Sequence, residues 1–115
     1  FEPLAMASKR IMNIVKGVEG TYRVDPDLFE NKSEADLWKS FQLVRDKVTK
    51  EIDRENYFEA LNSLAGLSGP VDEFFSQVMV MAEDRRVREN RLGMLKGLNQ
   101  FFLQIADFSK FAIYY

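Results

Sequence analysis

Three prolines and six glycines are the only residues in this 115-residue chain that break helices outright. The prolines and the glycines up to Gly69 fall where helices would begin or end and leave long stretches in which apolar residues recur with a period near 3.6. That spacing predicts an all-α chain of five helices. Pro3 suits a first helical turn, and Leu4, Ala7, Ser8, Ile11, Ile14, Val15 and Val18 form one stripe that stops near Gly17 and Gly20. Thr21 to Lys32 contains Asp25-Pro26-Asp27, a turn signal, so Val24, Leu28 and Phe29 are expected to pin a loop on the core. Ser33 with Asp36 resembles a capping box for a second helix through Leu37, Phe41, Val44, Val48 and Ile52. After the polar break Asp53-Arg54-Glu55-Asn56, a third helix carries Tyr57, Phe58, Leu61, Leu64 and Ala65 and ends at Gly66 to Gly69. Pro70, with Asp72 and Glu73 beside it, is expected to open a fourth helix that buries Val71, Phe74, Phe75, Val78 and Met79. Asp84 can cap the last helix, whose apolar side is Val87, Met94, Leu95, Leu98, Phe101, Phe102, Ile105 and Phe108. One apolar stripe per helix and short connections predict an antiparallel five-helix bundle, a single domain over residues 1–115.

Composition excludes much chemistry. With no cysteine and no histidine, the chain can form no disulfide, zinc finger, thiol nucleophile, Ser-His-Asp triad or imidazole metal site. No glycine-rich loop precedes a Lys-Ser or Lys-Thr pair, and no serine sits in a Gly-x-Ser-x-Gly elbow. The paired acids Asp72-Glu73 and Glu83-Asp84 stand at expected helix starts, where carboxylates favour the helix dipole, so acid-base catalysis is not required to explain them. The expectation is a chain with no catalytic residue, no metal site and no cofactor of its own. No apolar run approaches the roughly 18 residues of a membrane span, and the lack of cysteine fits a cytoplasmic home. The chain starts with Phe and carries no signal segment ahead of it, so it reads as an excised piece of a larger parent.

Formal net charge is −2, which argues against a protein that coats duplex DNA. The cations are nevertheless uneven. Between Asp84 and Lys96 stand five positive residues (Arg85, Arg86, Arg88, Arg91, Lys96) against two negative ones (Asp84, Glu89), and Lys9, Arg10 and Lys16 have no acid among them from Pro3 to Gly17. Guanidinium forks suit phosphates and base edges, whereas solvated faces or partners for nearby acids are the structural alternative. Arg91 lies on the apolar stripe between Val87 and Leu95, so a buried ion pair is expected there. Phe74-Phe75 and Phe101-Phe102 can supply either core or stacking platforms for unpaired bases; helical spacing sends one of each pair inward, with the other free for a helix-helix contact.

From Val71 the chain resembles a known family. Val71-Asp72-Glu73-Phe74-Phe75-Ser76-Gln77-Val78-Met79-Val80-Met81-Ala82-Glu83-Asp84, followed by Val87-Arg88-Glu89-Asn90-Arg91-Leu92-Gly93-Met94-Leu95, resembles the signature of the all-helical anticodon-binding domain shared by several aminoacyl-tRNA synthetases and named for an Asp-Ala-Leu-Arg motif. Lys9-Arg10-Ile11-Met12-Asn13-Ile14 and Phe102-Leu103-Gln104-Ile105-Ala106-Asp107-Phe108-Ser109 are similar to the β-subunit family of the bacterial tetrameric glycyl-tRNA synthetases. The name motif would fall at Glu59-Ala60-Leu61-Asn62, where only Ala and Leu agree, and the tail Phe111-Ala112-Ile113-Tyr114-Tyr115 departs from the family's short ending. The resemblance implies a parent of two α and two β subunits that attaches glycine to its tRNA with ATP and Mg²⁺ in the α subunit, while this domain holds the anticodon arm of the glycine tRNA. Lys9, Arg10, Asn13 and Lys16 in the first helix and Arg85, Arg86 and Arg88 in the last are then the expected RNA contacts. Asn13 is included because its amide both donates to and accepts from a base edge. A helical module that braces a synthetase, the equivalent domain of another synthetase such as the arginyl enzyme, and a small independent enzyme are the alternatives.

Overall fold

The computed structural model describes the backbone of residues 2–113 and the side chains of residues 3–105. It contains five α-helices: α1 (Glu2–Val15), α2 (Lys32–Asp53), α3 (Tyr57–Ala65), α4 (Ser68–Gln77) and α5 (Arg85–Ile113), with a short 3₁₀ turn at Pro26–Leu28. The backbone described contains no strand, and the all-α expectation holds. α2 packs on α3 and α4, and α1 on α5. Ala7, Ile11, Leu37, Phe41, Leu64, Val71, Phe74, Met94, Leu95 and Leu98 from all five helices form one continuous core.

Local chemistry explains most of the boundaries. Gly17 ends α1 with a φ of 81°, a left-handed conformation that side chains resist. Asp25 caps the 3₁₀ turn by accepting from the Asp27 N–H at 3.0 Å. Asp84 Oδ1 accepts from the N–H groups of Arg86 (2.9 Å) and Val87 (3.3 Å), so it caps α5 as expected.

Three expectations require correction. The cap of α2 is Asn31 with Glu34, not Ser33 with Asp36: Asn31 Oδ1 accepts from the Ser33 N–H at 3.0 Å, and Glu34 Oε1 from the Asn31 N–H at 3.1 Å. The box starts two residues earlier because Glu34 is buried and has a second partner inside the fold. α4 begins at Ser68 rather than Pro70, almost continuous with α3. Pro70 is tolerated at its third position because the N–H it lacks would be an orphan there; Asp72 and Glu73 consequently lie beyond the first turn. Met79 is 75% exposed, not buried. The helix gives way to extended backbone at Val78, and alternation replaces the helical period: Val78 and Val80 point in, Met79 and Met81 out. The expected core positions from Val87 to Ile105 are buried, while the side chain of Phe108 and the tail from Phe111 lie outside the described residues apart from helical backbone to Ile113.

The expected ion pair is present. Arg91 Nη2 donates to Glu34 Oε1 at 3.0 Å and to Glu30 Oε1 at 3.3 Å, while Arg91 Nη1 donates to the Met79 carbonyl at 2.7 Å. Glu34 Oε1 also accepts from the Glu30 N–H at 3.1 Å. One guanidinium thus ties α5 to the start of α2 and to the segment after α4. Asn31 Nδ2 adds a bond to the Gln77 carbonyl at 3.2 Å.

Arg91→Met is expected to destabilise the chain by about 3–5 kcal/mol, because it strands a buried carboxylate. Adding Glu34→Gln should recover part of that loss in thermal melts. A cost of Arg91→Met below about 1 kcal/mol would contradict the bridging role. For the aromatic pair, Phe74 is fully buried and Phe75 only partly, so Phe74→Ala should cost about 3–5 kcal/mol and Phe75→Ala clearly less.

Candidate nucleic-acid interface

The chain leaving α1 returns along the side of α5, and three α5 residues one helical face apart hold it there. Lys96 Nζ donates to the Val18 carbonyl at 2.9 Å and to the Gly20 carbonyl. Asn90, itself buried, makes a two-way clamp: the Asp25 N–H donates to its Oδ1 at 2.6 Å and its Nδ2 donates to the Asp25 carbonyl at 3.0 Å. Between them, Gly93 lets the Tyr22 backbone lie directly on the helix. A Cβ at that position would stand 2.5 Å from the Tyr22 carbonyl oxygen.

This fastening leaves a groove of about 690 Å³ between the loop and the beginning of α5, lined among others by Tyr22, Arg23, Asp25, Leu28, Arg86 and Glu89. Its size falls within the range of ligand clefts. Arg23 and Arg86 are exposed and have no ion-pair partner among the described residues. Arg85 is engaged differently. Its Nε donates to Glu89 Oε1 at 2.8 Å, and that hydrogen bond first, then the charge of Glu89, raises the guanidinium above its ordinary pKa.

The expected contact residues do not form one patch. Lys9, Arg10 and Asn13 on α1 and Lys16 just past its end are all exposed, but none lines the groove. Arg10 lies over the half-buried Phe75 ring of α4, its guanidinium carbon 4.2 Å from the ring centroid in a cation–π contact. The segment after α1 is fastened through Val18 and Gly20 at Lys96, about 15 Å along the α5 axis from Arg86 at 1.5 Å per residue. Of the α5 group, Arg86 faces the groove, Arg85 pairs with Glu89, and Arg88 Nη1 donates to the carbonyls of Ala82 (3.1 Å) and Glu83 (3.4 Å), which stiffens the turn before α5. Phe101 and Phe102 are both buried, so neither offers a stacking face.

Sequence reading missed Tyr22, Arg23 and the Asn90, Gly93 and Lys96 clamps. A signal for the clamps existed: a glycine within a long helix costs about 1 kcal/mol against alanine, so Gly93 asks for a packing reason. Nothing in the loop's sequence pairs Arg23 with Arg86.

The groove is open, lies on an all-helical described backbone and carries two exposed arginines, Arg23 and Arg86. Residues 4–108 match the family model described as the DALR anticodon binding domain, and the chain belongs to that family. It is 50% identical over 113 residues to the glycine–tRNA ligase β subunit of Geobacter metallireducens, covering 97% of this chain. It is 46% identical over 110 residues to that of Geotalea daltonii and 45% over 111 residues to that of Desulforudis audaxviator, covering 96% of this chain in each case. The chain spans 16% of the length of each of these relatives. At the position of the family's name motif, Ala60 is buried and Leu61 partly so; the two agreeing residues are core residues.

Gly93→Ala is expected to displace the Tyr22 segment and to cost about 1–3 kcal/mol. Gly97→Ala is its control: a Cβ there would meet only the Phe41 ring edge at 3.5 Å, so helix propensity should make it neutral or stabilising by up to about 1 kcal/mol. Equal losses in urea titrations of the two variants would refute the close-approach account.

Proposed function

We propose that this domain holds the anticodon arm of glycine tRNA for a glycine–tRNA ligase, as part of that enzyme's β subunit. The single observation that carries this reading is the identity of 45–50% to β subunits of glycine–tRNA ligases across nearly the whole chain. In this reading residues 1–115 are one anticodon-binding domain of a larger cytoplasmic β subunit. Glycine ligation with ATP and Mg²⁺ belongs to the α subunit of an α₂β₂ parent, and the domain contributes binding only.

The physical basis is the state of the ligand. Anticodon bases are already unpaired, so a protein can stack on them and bond to their edges without opening a duplex, while a few cations hold the phosphates. A chain with net charge −2 can do this with a local group of arginines. In this reading the exposed Arg86 and, apart from it, the exposed Lys9, Arg10 and Lys16 supply phosphate contacts, and the exposed Asn13 meets a base edge. Arg88, engaged with two carbonyls, shapes the α5 turn more than it meets RNA. The exposed side chains of Met6, Phe58, Met79 and Met81 favour a second role, bracing the rest of the β subunit through apolar contacts.

Titration of the domain with glycine tRNA and with the same tRNA lacking its anticodon arm tests the reading. Binding should disappear with the arm and weaken with salt, with a log–log slope near −2 if about three phosphates are neutralised at about 0.7 each. Equal affinity for both RNAs would leave the bracing role as the better account.

A further inference from the structure

We propose that the groove between the Thr21–Leu28 loop and the start of α5 takes one unpaired nucleotide of an RNA loop, with Arg23 and Arg86 on its phosphodiester and the Tyr22 ring against its base. The proposal rests on the anticodon reading and assigns it a site that the exposed cations of α1 do not share.

Charge supports an anionic occupant. Of the carboxylates lining the groove, Glu89 is paired with Arg85 and Asp25 keeps its charge while its Oδ1 accepts the Asp27 N–H, so Arg23, Arg85 and Arg86 against Asp25 and Glu89 leave the groove and its rim one positive charge in excess. Arg23 from the loop and Arg86 from α5 both line the groove and have no ion-pair partner among the described residues. Two guanidinium groups across a cleft suit a phosphodiester, whose non-bridging oxygens accept from both sides. The N-terminus of α5 is already taken, because Asp84 Oδ1 accepts from the N–H groups of Arg86 and Val87. Shape supports a base as well as a phosphate: the groove of about 690 Å³ is open along its length, and it is lined by a half-buried aromatic ring and by Leu28. Its loop wall is fixed in advance by Asn90, Gly93 and Lys96, which lowers the ordering cost of binding.

The test uses the chain with a labelled glycine anticodon stem-loop, measured by fluorescence anisotropy at several salt concentrations. Arg23→Gln and Arg86→Gln should each weaken binding about five- to tenfold, and together flatten the salt slope by about 0.7, with unchanged melting temperatures because both side chains are exposed. Tyr22→Leu should lose about tenfold, whereas Tyr22→Phe keeps the stacking and should lose little. Arg45→Gln, which removes an exposed cation lying over Phe41 on α2, should leave affinity unchanged. If the stem-loop binds the unmodified chain but Arg23→Gln and Arg86→Gln bind equally well, the groove is not the site and the anticodon reading stands without it. Failure of the unmodified chain to bind the stem-loop even at low salt overturns both.

Discussion

The Arg91 guanidinium meets the Glu34 carboxylate at 3.0 Å where both side chains are out of water, and the arrangement of the bundle follows from that contact. Removing two charges from water costs several kcal/mol each, so such a pair persists only where surrounding bonds compensate. Here the N–H groups of Glu30 and Asn31 and the Met79 carbonyl do so. Compensation is incomplete, because Glu34 Oε2 and Arg91 Nε have no partner among the described residues. A pair of this kind adds little net stability over an apolar replacement of the same volume. Its effect is positional, since only one register of α5 against α2 and the segment after α4 satisfies it.

That register has a consequence on the other side of α5. Asn90 is the residue next to Arg91, and Gly93 and Lys96 follow at intervals of three along one face. Fixing Arg91 inward therefore fixes the angular position of the clamp that holds Tyr22 and Asp25. The groove is a product of this geometry: its helical wall is set by the buried pair, and its loop wall by the clamp. The segment from Val78 to Ala82 is held in the same way, by Arg91 at one end and Arg88 at the other.

Much of this frame was legible in the sequence because the relevant signals are local. The 3.6-residue stripes of α1, α2 and α5, the Asp84 cap and the Asp25-Pro26-Asp27 turn each depend on neighbours in the chain, and the structure has them where the residues predict. Arg91 on an apolar stripe signalled a buried pair, but Glu34 could not be named as its partner because 57 residues separate them. The misplaced capping box has the same origin: two acids compete for one helix start, and the one with a tertiary partner prevails. Met79 was misassigned because the helical period was extended past the point where the backbone becomes extended. The candidate contacts on α1 and α5 were chosen by charge, which locates cations but not their partners. Arg85 and Arg88 are engaged within the chain, and Arg23, an isolated loop cation in the sequence, lines the same groove as Arg86 only in the folded domain.

In the proposed complex RNA meets the face where this loop lies on α5. Two-dimensional nitrogen-proton spectra of the labelled chain, recorded while an unlabelled glycine anticodon stem-loop is added, test that claim most directly. The amides of Thr21 to Leu28 and of Arg85 to Asn90 should shift first and together, with smaller changes along the exposed side of α1. Shifts confined to the α2–α3 hairpin, with the loop and the start of α5 unmoved, would contradict it.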